Sequence, residues 1–194
     1  MSLGEAGGAP RFNDAVKKGG IRVMDATCPA IHAGLMAAQK GVPFMPMRGL
    51  IGSDILAQRA DWQVIDNPLE TGDSIAIIPA IHPDIAIFHV PMADRDGNVW
   101  IGRRRELAAM AYAATQTLVT VERLVDRSLL ADETTAAGTL PALYVDAVAE
   151  APRGAWPYGL WGEYATDTDE MVRYATAART PEGFADYMAQ EVCA

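Results

Sequence analysis

Long apolar runs are missing from this 194-residue chain, because charge, proline or glycine interrupts every stretch before it reaches bilayer-spanning length. No helical membrane anchor is therefore expected within it. A secretory signal is lacking too: Met1-Ser2-Leu3-Gly4 has no basic region followed by an apolar one. Positive charge is scarce, with 16 Lys and Arg against 25 Asp and Glu and a net charge of −9. That argues against a general nucleic-acid binder and leaves room for one basic pocket. The two cysteines, Cys28 and Cys193, cannot build a disulfide framework and fit a reducing cytoplasm. Cys28 and His32 lie one helical turn apart but supply only two ligands, too few for a metal centre. Internal repeats and a composition break are absent as well, so residues 1–194 read as a single domain.

What remains is rich in core-forming residues. Hydrophobic side chains make up 50% of the chain, which excludes a disordered or linker-like protein. Arg11 to Lys18 predicts a short helix ended by Gly19-Gly20, and Ile21–Asp25 alternates as a short strand would. Thr27 or Cys28 as N-cap, Pro29 in the first turn and Gly41 beyond Lys40 bracket a second helix. After it comes Gly41–Asp54, GVPFMPMRGLIGSD, which organises the rest. Pro43 and Pro46 deny this arm two ladder donors, so it predicts an edge strand or extended loop. The arm ends at Arg48 on a Gly49…Gly52-Ser53-Asp54 turn, a place where backbone N–H groups can face an anion.

A short helical turn is expected over Asp54–Gln58, then irregular chain through Asn67-Pro68. Residues 73–78 and 84–90 are near-continuously apolar, β-branched runs and predict strands in a sheet covered on both faces. Residues 93–98 form a turn, 99–101 a short strand, 105–114 an alanine-rich helix, and 117–121 and 143–148 two further strands. Residues 156–164 form an aromatic loop. Two closing helices start at Asp167, with Glu170 as a capping box, and at Thr180-Pro181. Strands alternating with helices predict an α/β fold with an open, mainly parallel sheet flanked by helices.

These landmarks, in order, carry a resemblance. Gly41-x-Pro43-Phe44-x-Pro46-x-Arg48 with Gly52-Ser53-Asp54 is followed by Pro79-Ala80, Pro83-Asp84 and Ala93-Asp94-x-x-Gly97-Asn98. Then come Val119-Thr120-Val121-Glu122, Val145-Asp146-Ala147-Val148-x-x-Ala151-Pro152-x-Gly154-Ala155, and a C-terminal end with Tyr164, residues 167–169 and Pro181-Glu182-Gly183-Phe184. Nearly the whole chain thus resembles the A (alpha) subunit of the family I CoA-transferases, of the glutaconate CoA-transferase type.

The resemblance implies the open α/β fold shared by CoA-transferases and sugar-phosphate isomerases. It also implies transfer of CoA between carboxylic acids. In such enzymes a glutamate attacks the acyl-CoA thioester, giving an acyl-glutamyl anhydride and then a glutamyl-CoA thioester. That glutamate normally sits in the B (beta) subunit, so no nucleophile is expected in this chain and a B-type partner is. CoA and acyl-CoA enter as substrates beside a small carboxylic acid, with no permanently bound cofactor. Two departures stand out. No glycine-rich loop precedes Arg11, so the sequence is expected to lack the N-terminal part of the family's fold. Arg103-Arg104-Arg105 also opens a helix with charge that opposes the dipole, fitting either an anion, such as a CoA phosphate or a partner's carboxylates, or a solvated helix start.

At the residue level, Arg48 would hold a substrate carboxylate or thioester carbonyl, or else a structural ion pair, for instance with Asp54. Gly52 and Ser53 would donate to an oxyanion or carboxylate, or cap the helix that Asp54 begins. Asp94 and Asn98 stand at the carboxyl end of a strand, where open sheets place ligands, although turn chemistry alone also explains them. Cys28 is expected as a small buried thiol beside a satisfied His32, a nucleophile pair being the alternative. His82 and His89 read as core or interface residues. Trp156, Tyr158, Trp161 and Tyr164 would lid an acyl pocket or line an interface with the partner chain. Two other functions stay open: a thioester or ring-opening hydrolase on the same scaffold, and a non-catalytic binding module.

Overall fold

The computed structural model describes residues 9–191. They fall into two compact units, Asp25–Gly154 and the described residues on either side of it. In chain order the elements are α1 (Pro10–Lys17), α2 (Cys28–Gln39), β1 (Phe44–Met47), α3 (Asp54–Gln58), β2 (Gln63–Asp66) and β3 (Ser74–Pro79). There follow β4 (Ile85–Asp94), β5 (Val99–Trp100), α4 (Arg105–Ala113), β6 (Gln116–Val125), α5 (Glu133–Ala136) and β7 (Thr139–Leu140). The last are β8 (Ala147–Glu150), α6 (Thr168–Ala177) and α7 (Pro181–Glu191). No helix among the described residues is long and apolar enough to cross a membrane.

The larger unit holds two sheets. The five-stranded one runs β7-β5-β4-β6-β8; β4, β6 and β8 are parallel, β5 pairs antiparallel with β4, and β7 pairs antiparallel with β5. It is therefore mixed but mainly parallel at its centre, as the alternation of strands and helices predicts. The helix α4 crosses from β4 to β6, and its Ala108 and Ala111 pack on the face formed by the even-numbered residues of β4 and the odd-numbered ones of β6. There Ala86, Phe88, Val90, Val119 and Val121 meet Ala111, Val99 and Leu140 in one cluster. Burying a side chain such as Phe88 or Val90 is worth about 1.5–3 kcal/mol. The other face differs from expectation. The runs are apolar on both sides, yet Ile85 stays 48% exposed and Ile87 66%.

Residues 143–148 do not form one strand. Pro141 opens a 3-10 turn, Ala142–Tyr144, and Tyr144 packs edge-on against Tyr112. Asp146 then exchanges two hydrogen bonds with Thr117, through its carboxylate and its own N–H, so pairing with β6 starts only at Ala147. The Asp146 side chain takes the place of a ladder partner.

The second sheet, β1-β3-β2, is antiparallel and covered on one face by α2. Its buried positions Ala76 and Ile78 pack with Ala30, Leu50 and Trp62. Thr27 caps α2, accepting from the Ala30 N–H, and Ala30, Ala33, Gly34 and Ala37 form its buried stripe. The arm forms β1 at the sheet's edge, where its prolines cost no inner ladder bond. Two expectations change. β2 occupies chain read as irregular, and 73–78 and 84–90 belong to different sheets. Cys28 and His32 are both exposed on α2 rather than buried, because the small residues of the helix face inward and these two lie on the other side.

The smaller unit contains α1, the aromatic loop, α6 and α7. Asp167 caps α6, accepting from Glu170 N–H, while the Glu170 carboxylate turns to Arg173 and to the buried Tyr187 of α7. Burial first, and the Glu170 carboxylate next, push the Tyr187 phenol up to about 12. The alternation at Ile21–Asp25 yields no strand; among the described residues no neighbour offers a ladder, and Val23 and Met24 are more than half exposed. His82 is likewise exposed rather than core. Cys193 lies outside the described residues.

Candidate functional site

Arg48 follows β1, and its guanidinium grips Asp73, the residue before β3. The Nε–Oδ1 distance is 2.9 Å and Nη2–Oδ2 is 2.5 Å. Asn67 Nδ2 donates to the same carboxylate at 2.7 Å, and Glu70 stands 3.8 Å from Nη2. The ion pair thus goes to Asp73, not to Asp54, because the antiparallel register brings the end of β1 beside the start of β3. The Arg48 hydrogen bond, then that of Asn67, holds the Asp73 carboxyl below its ordinary value. A guanidinium has five N–H donors, and Asp73 uses the Nε–Nη2 edge. Glu70 approaches the remaining side of Nη2 at 3.8 Å, beyond hydrogen-bond reach, so the Nη1–Nη2 edge of this 63% exposed side chain can take a second carboxylate or a carbonyl in place of Glu70.

The turn beyond it is held by backbone. Ile51 N–H donates to Arg48 O and Ser53 N–H to Leu50 O, with the buried Leu50 as anchor. Gly52 sits at φ +79°, a left-handed conformation that costs other residues about 1–2 kcal/mol, with open space where a Cβ would be. Ser53 Oγ donates to Leu50 O and accepts from Leu56 N–H, so it caps α3. Arg48, Gly52 and Ser53 therefore share one turn with an exposed cation at its start.

Asp94 and Asn98 occupy a different turn, at the carboxyl end of β4 in the other sheet. Asp94 is 3% exposed and accepts from the N–H groups of Asp96, Asn98 and Leu129 and from Asn98 Nδ2. Asn98 Oδ1 accepts from Ala142 N–H. Burial would raise the Asp94 pKa, but the donors from Leu129, Asn98 and Asp96 outweigh it and set the group below its ordinary value. The two turns end different sheets and rest on different hydrophobic clusters.

A third polar group forms around His89, which the sequence marks only as a core or interface residue. His89 on β4 hydrogen-bonds Thr120 Oγ1 through Nδ1 at 2.8 Å and Glu122 Oε1 through Nε2 at 2.7 Å. Glu122 Oε2 accepts the N–H of Arg153, which is itself at φ +59°. The His89 and Glu122 side chains are each 10% exposed. Gly154 lies so close that a Cβ there would stand 2.7 Å from the His89 ring, which is what requires glycine. The available signal was a histidine and a glutamate interrupting two apolar strands, and the register puts them on one face, since His89 pairs with Thr120, two residues before Glu122. Arg103, Arg104 and Arg105 are exposed at the start of α4, whose N-cap has no side-chain bond. Of the loop aromatics, Tyr158 and Trp161 are exposed, whereas Trp156 donates to Asp167 and Tyr164 accepts from Ala155 N–H.

No family model matches the chain. It is 33% identical over 186 residues to the A-type subunit of 3-oxoadipate CoA-transferase from Pseudomonas knackmussii, covering 92% of this chain and 63% of that protein. It is 29% identical over 192 residues to the A-type subunit of glutaconate CoA-transferase from Acidaminococcus fermentans, covering 90% of this chain and 59% of the relative. The cholesterol ring-cleaving hydrolase IpdA subunit of Rhodococcus jostii matches at 29%, over 93% of this chain and 64% of its own. Among solved structures, glutaconate coenzyme A-transferase from Acidaminococcus fermentans superposes with a TM-score of 0.86 at 27% identity, covering 95% of this chain and 63% of that one. A variant of the decarboxylase AibA/AibB superposes at 0.83, also 27% identical, covering 95% and 67%. The chain spans 41–64% of the length of the curated relatives it matches.

Proposed function

Because the chain is a homologue of the A-type subunits of CoA-transferases and has their fold, we propose that it is the A-type half of a CoA-transferase. In this reading it moves CoA between carboxylic acids together with a B-type chain, which carries the attacking glutamate. The observation that supports it best is the Gly41–Asp54 arm. It lies within an ordered set of family-like segments and folds as an edge strand presenting Arg48 on an open glycine turn.

Arg48 would hold the carboxylate of a substrate acid or polarise the thioester carbonyl through its Nη1–Nη2 edge. The turn with Gly52 and Ser53 would line the same pocket. Asp94 and Asn98, buried and spent on hydrogen bonds within the second turn, would serve the pocket only by holding that turn in place. The chain positions and polarises; the partner attacks. CoA, acyl-CoA and a small carboxylic acid are the substrates, with no permanent cofactor, no nucleic acid and no membrane, in the cytoplasm.

The test is a coupled assay following CoA from an acyl-CoA to acetate, with this chain, the B-type chain of the same organism, or both. Transfer is expected only with both. The relative named as a ring-cleaving hydrolase supports one second reading, in which water replaces the acceptor acid. Free CoA or a ring-opened product without added acceptor would favour that reading. With both chains present, neither transfer nor hydrolysis would reduce the chain to a binding module.

A further inference from the structure

Among the described residues, the antiparallel sheet β1-β3-β2 has one face on α2 and no helix of the larger unit packed on the other. The register defines that outer face. Phe44 is opposite Pro79, Pro46 opposite Ile77, Gln63 opposite Ile77, and Ile65 opposite Ile75. Apart from Gln63, every position is apolar. Phe44 is 40% exposed and Ile65 37%, and Pro46 is exposed. A solvated antiparallel sheet ordinarily alternates apolar with polar, so a face of this composition is built to be covered.

The same parity continues past the strand ends. Arg48 extends the row Phe44-Pro46, Asp73 the row Ile77-Ile75, and Asn67 the row Gln63-Ile65. Those three residues are the ones that hydrogen-bond one another. The apolar face therefore runs directly into the Arg48 site. With Glu70 and Asp73 around that end, two carboxylates stand against the one cation, Arg48. The other bare sheet face, with Ile85 and Ile87, has no such continuation. Its polar residues His89, Thr120 and Glu122 bond one another and are nearly buried.

We propose that the outer face of β1-β3-β2 is the docking surface for the B-type chain, and that docking there completes the site around Arg48. The inference rests on the function proposed above and adds where the partner sits. The occupant has an apolar centre to match Phe44, Pro46, Ile65, Ile75 and Ile77. It carries Lys or Arg on the edge that meets Glu70 and Asp73. Covering this face would exclude water from Arg48 and strengthen its hold on a carboxylate.

The experiment co-expresses the chain with the B-type chain of the same organism. It measures affinity by calorimetry, mass by light scattering, and CoA transfer. Phe44→Asp and Ile65→Asp replace exposed side chains, and thermal melting checks that each variant folds; Ile87→Asp is the control on the other bare face. Each of the first two is expected to weaken the complex by about 100-fold, as loss of an interface anchor does, while the control binds normally. Normal affinity in folded Phe44→Asp and Ile65→Asp, with wild-type transfer intact, would overturn this surface and leave the function standing. Loss of binding in Ile87→Asp alone would do the same. A homodimer of wild type that Phe44→Asp dissociates would name the wrong occupant. No complex and no transfer by wild type would remove the proposed function, and the surface with it.

Discussion

Two glycine turns, one after β1 and one after β4, are written in similar residues and do opposite things. In the second, the Asp94 carboxylate is buried and collects three backbone N–H groups and the Asn98 amide, and Asn98 is spent on Ala142. In the first, the charged residue is exposed, one edge of its guanidinium is fixed by Asp73, and Gly52 faces open space. A turn whose polar groups are consumed inside holds chain together. A turn that fixes one edge of a cation and leaves the other free can respond to a ligand. The difference lies in where the hydrogen bonds go, not in which residues are present.

That contrast can be broken by substitution. Asp94→Ala has the largest expected effect, since it strands buried donors from Asp96, Asn98 and Leu129 at once. A loss of about 3–5 kcal/mol in urea unfolding is expected. A loss under about 1 kcal/mol would mean that the turn is not held as described. The same carboxyl sets a pH dependence. Its folded pKa lies below the ordinary 3.8, so its stabilisation is complete above that value and disappears as pH falls through the lower folded one. Melting temperatures of wild type and Asp94→Asn should accordingly converge only below about pH 3.8.

Arg48→Ala comes next, and its effect should be chiefly on chemistry. Unfolding should change little, because Arg48 is exposed and Asn67 still holds the Asp73 carboxylate, while kcat/KM for transfer in the complex falls at least about 10-fold. Arg48→Lys should recover little, since an ammonium cannot grip Asp73 and a ligand in two planar forks. Equal kinetics for wild type and Arg48→Ala would dissolve the distinction between the turns. The smallest effect belongs to Gly52→Ala. The φ of +79° should cost about 1 kcal/mol by strain, and the open space around it adds nothing.

Local signals were legible, and long-range pairing was not. Thr27, Pro29 and Gly41 bracket α2 as read, since caps act through neighbours in sequence. Pro43 and Pro46 marked β1 as an edge because the missing donors belong to those residues themselves. The sequence offered no way to learn that β3 and β4, five residues apart, join different sheets, or that Arg48 finds Asp73. Such partners are chosen by register, and register depends on segments far along the chain. The strand read at Ile21–Asp25 failed for the same reason: alternation needs a neighbour to become a strand. His89 and Glu122 met only because β4 and β6 are parallel and in step, with His89 beside Thr120.

The crossover β4-α4-β6 is continuous in sequence, and its two long strands pair along nearly their whole length. The cluster it helps bury, with Val90, Val99, Val121 and Leu140 at most 1% exposed, makes it the part of the larger unit expected to open last. Amide protons at Phe88, Val90, Val119 and Val121 should therefore exchange with solvent only through global unfolding. Those of the edge strands β1 and β2 should exchange through smaller openings. The sheet that carries Arg48 would then be the compliant one, able to settle onto another surface while the crossover beside it stays folded.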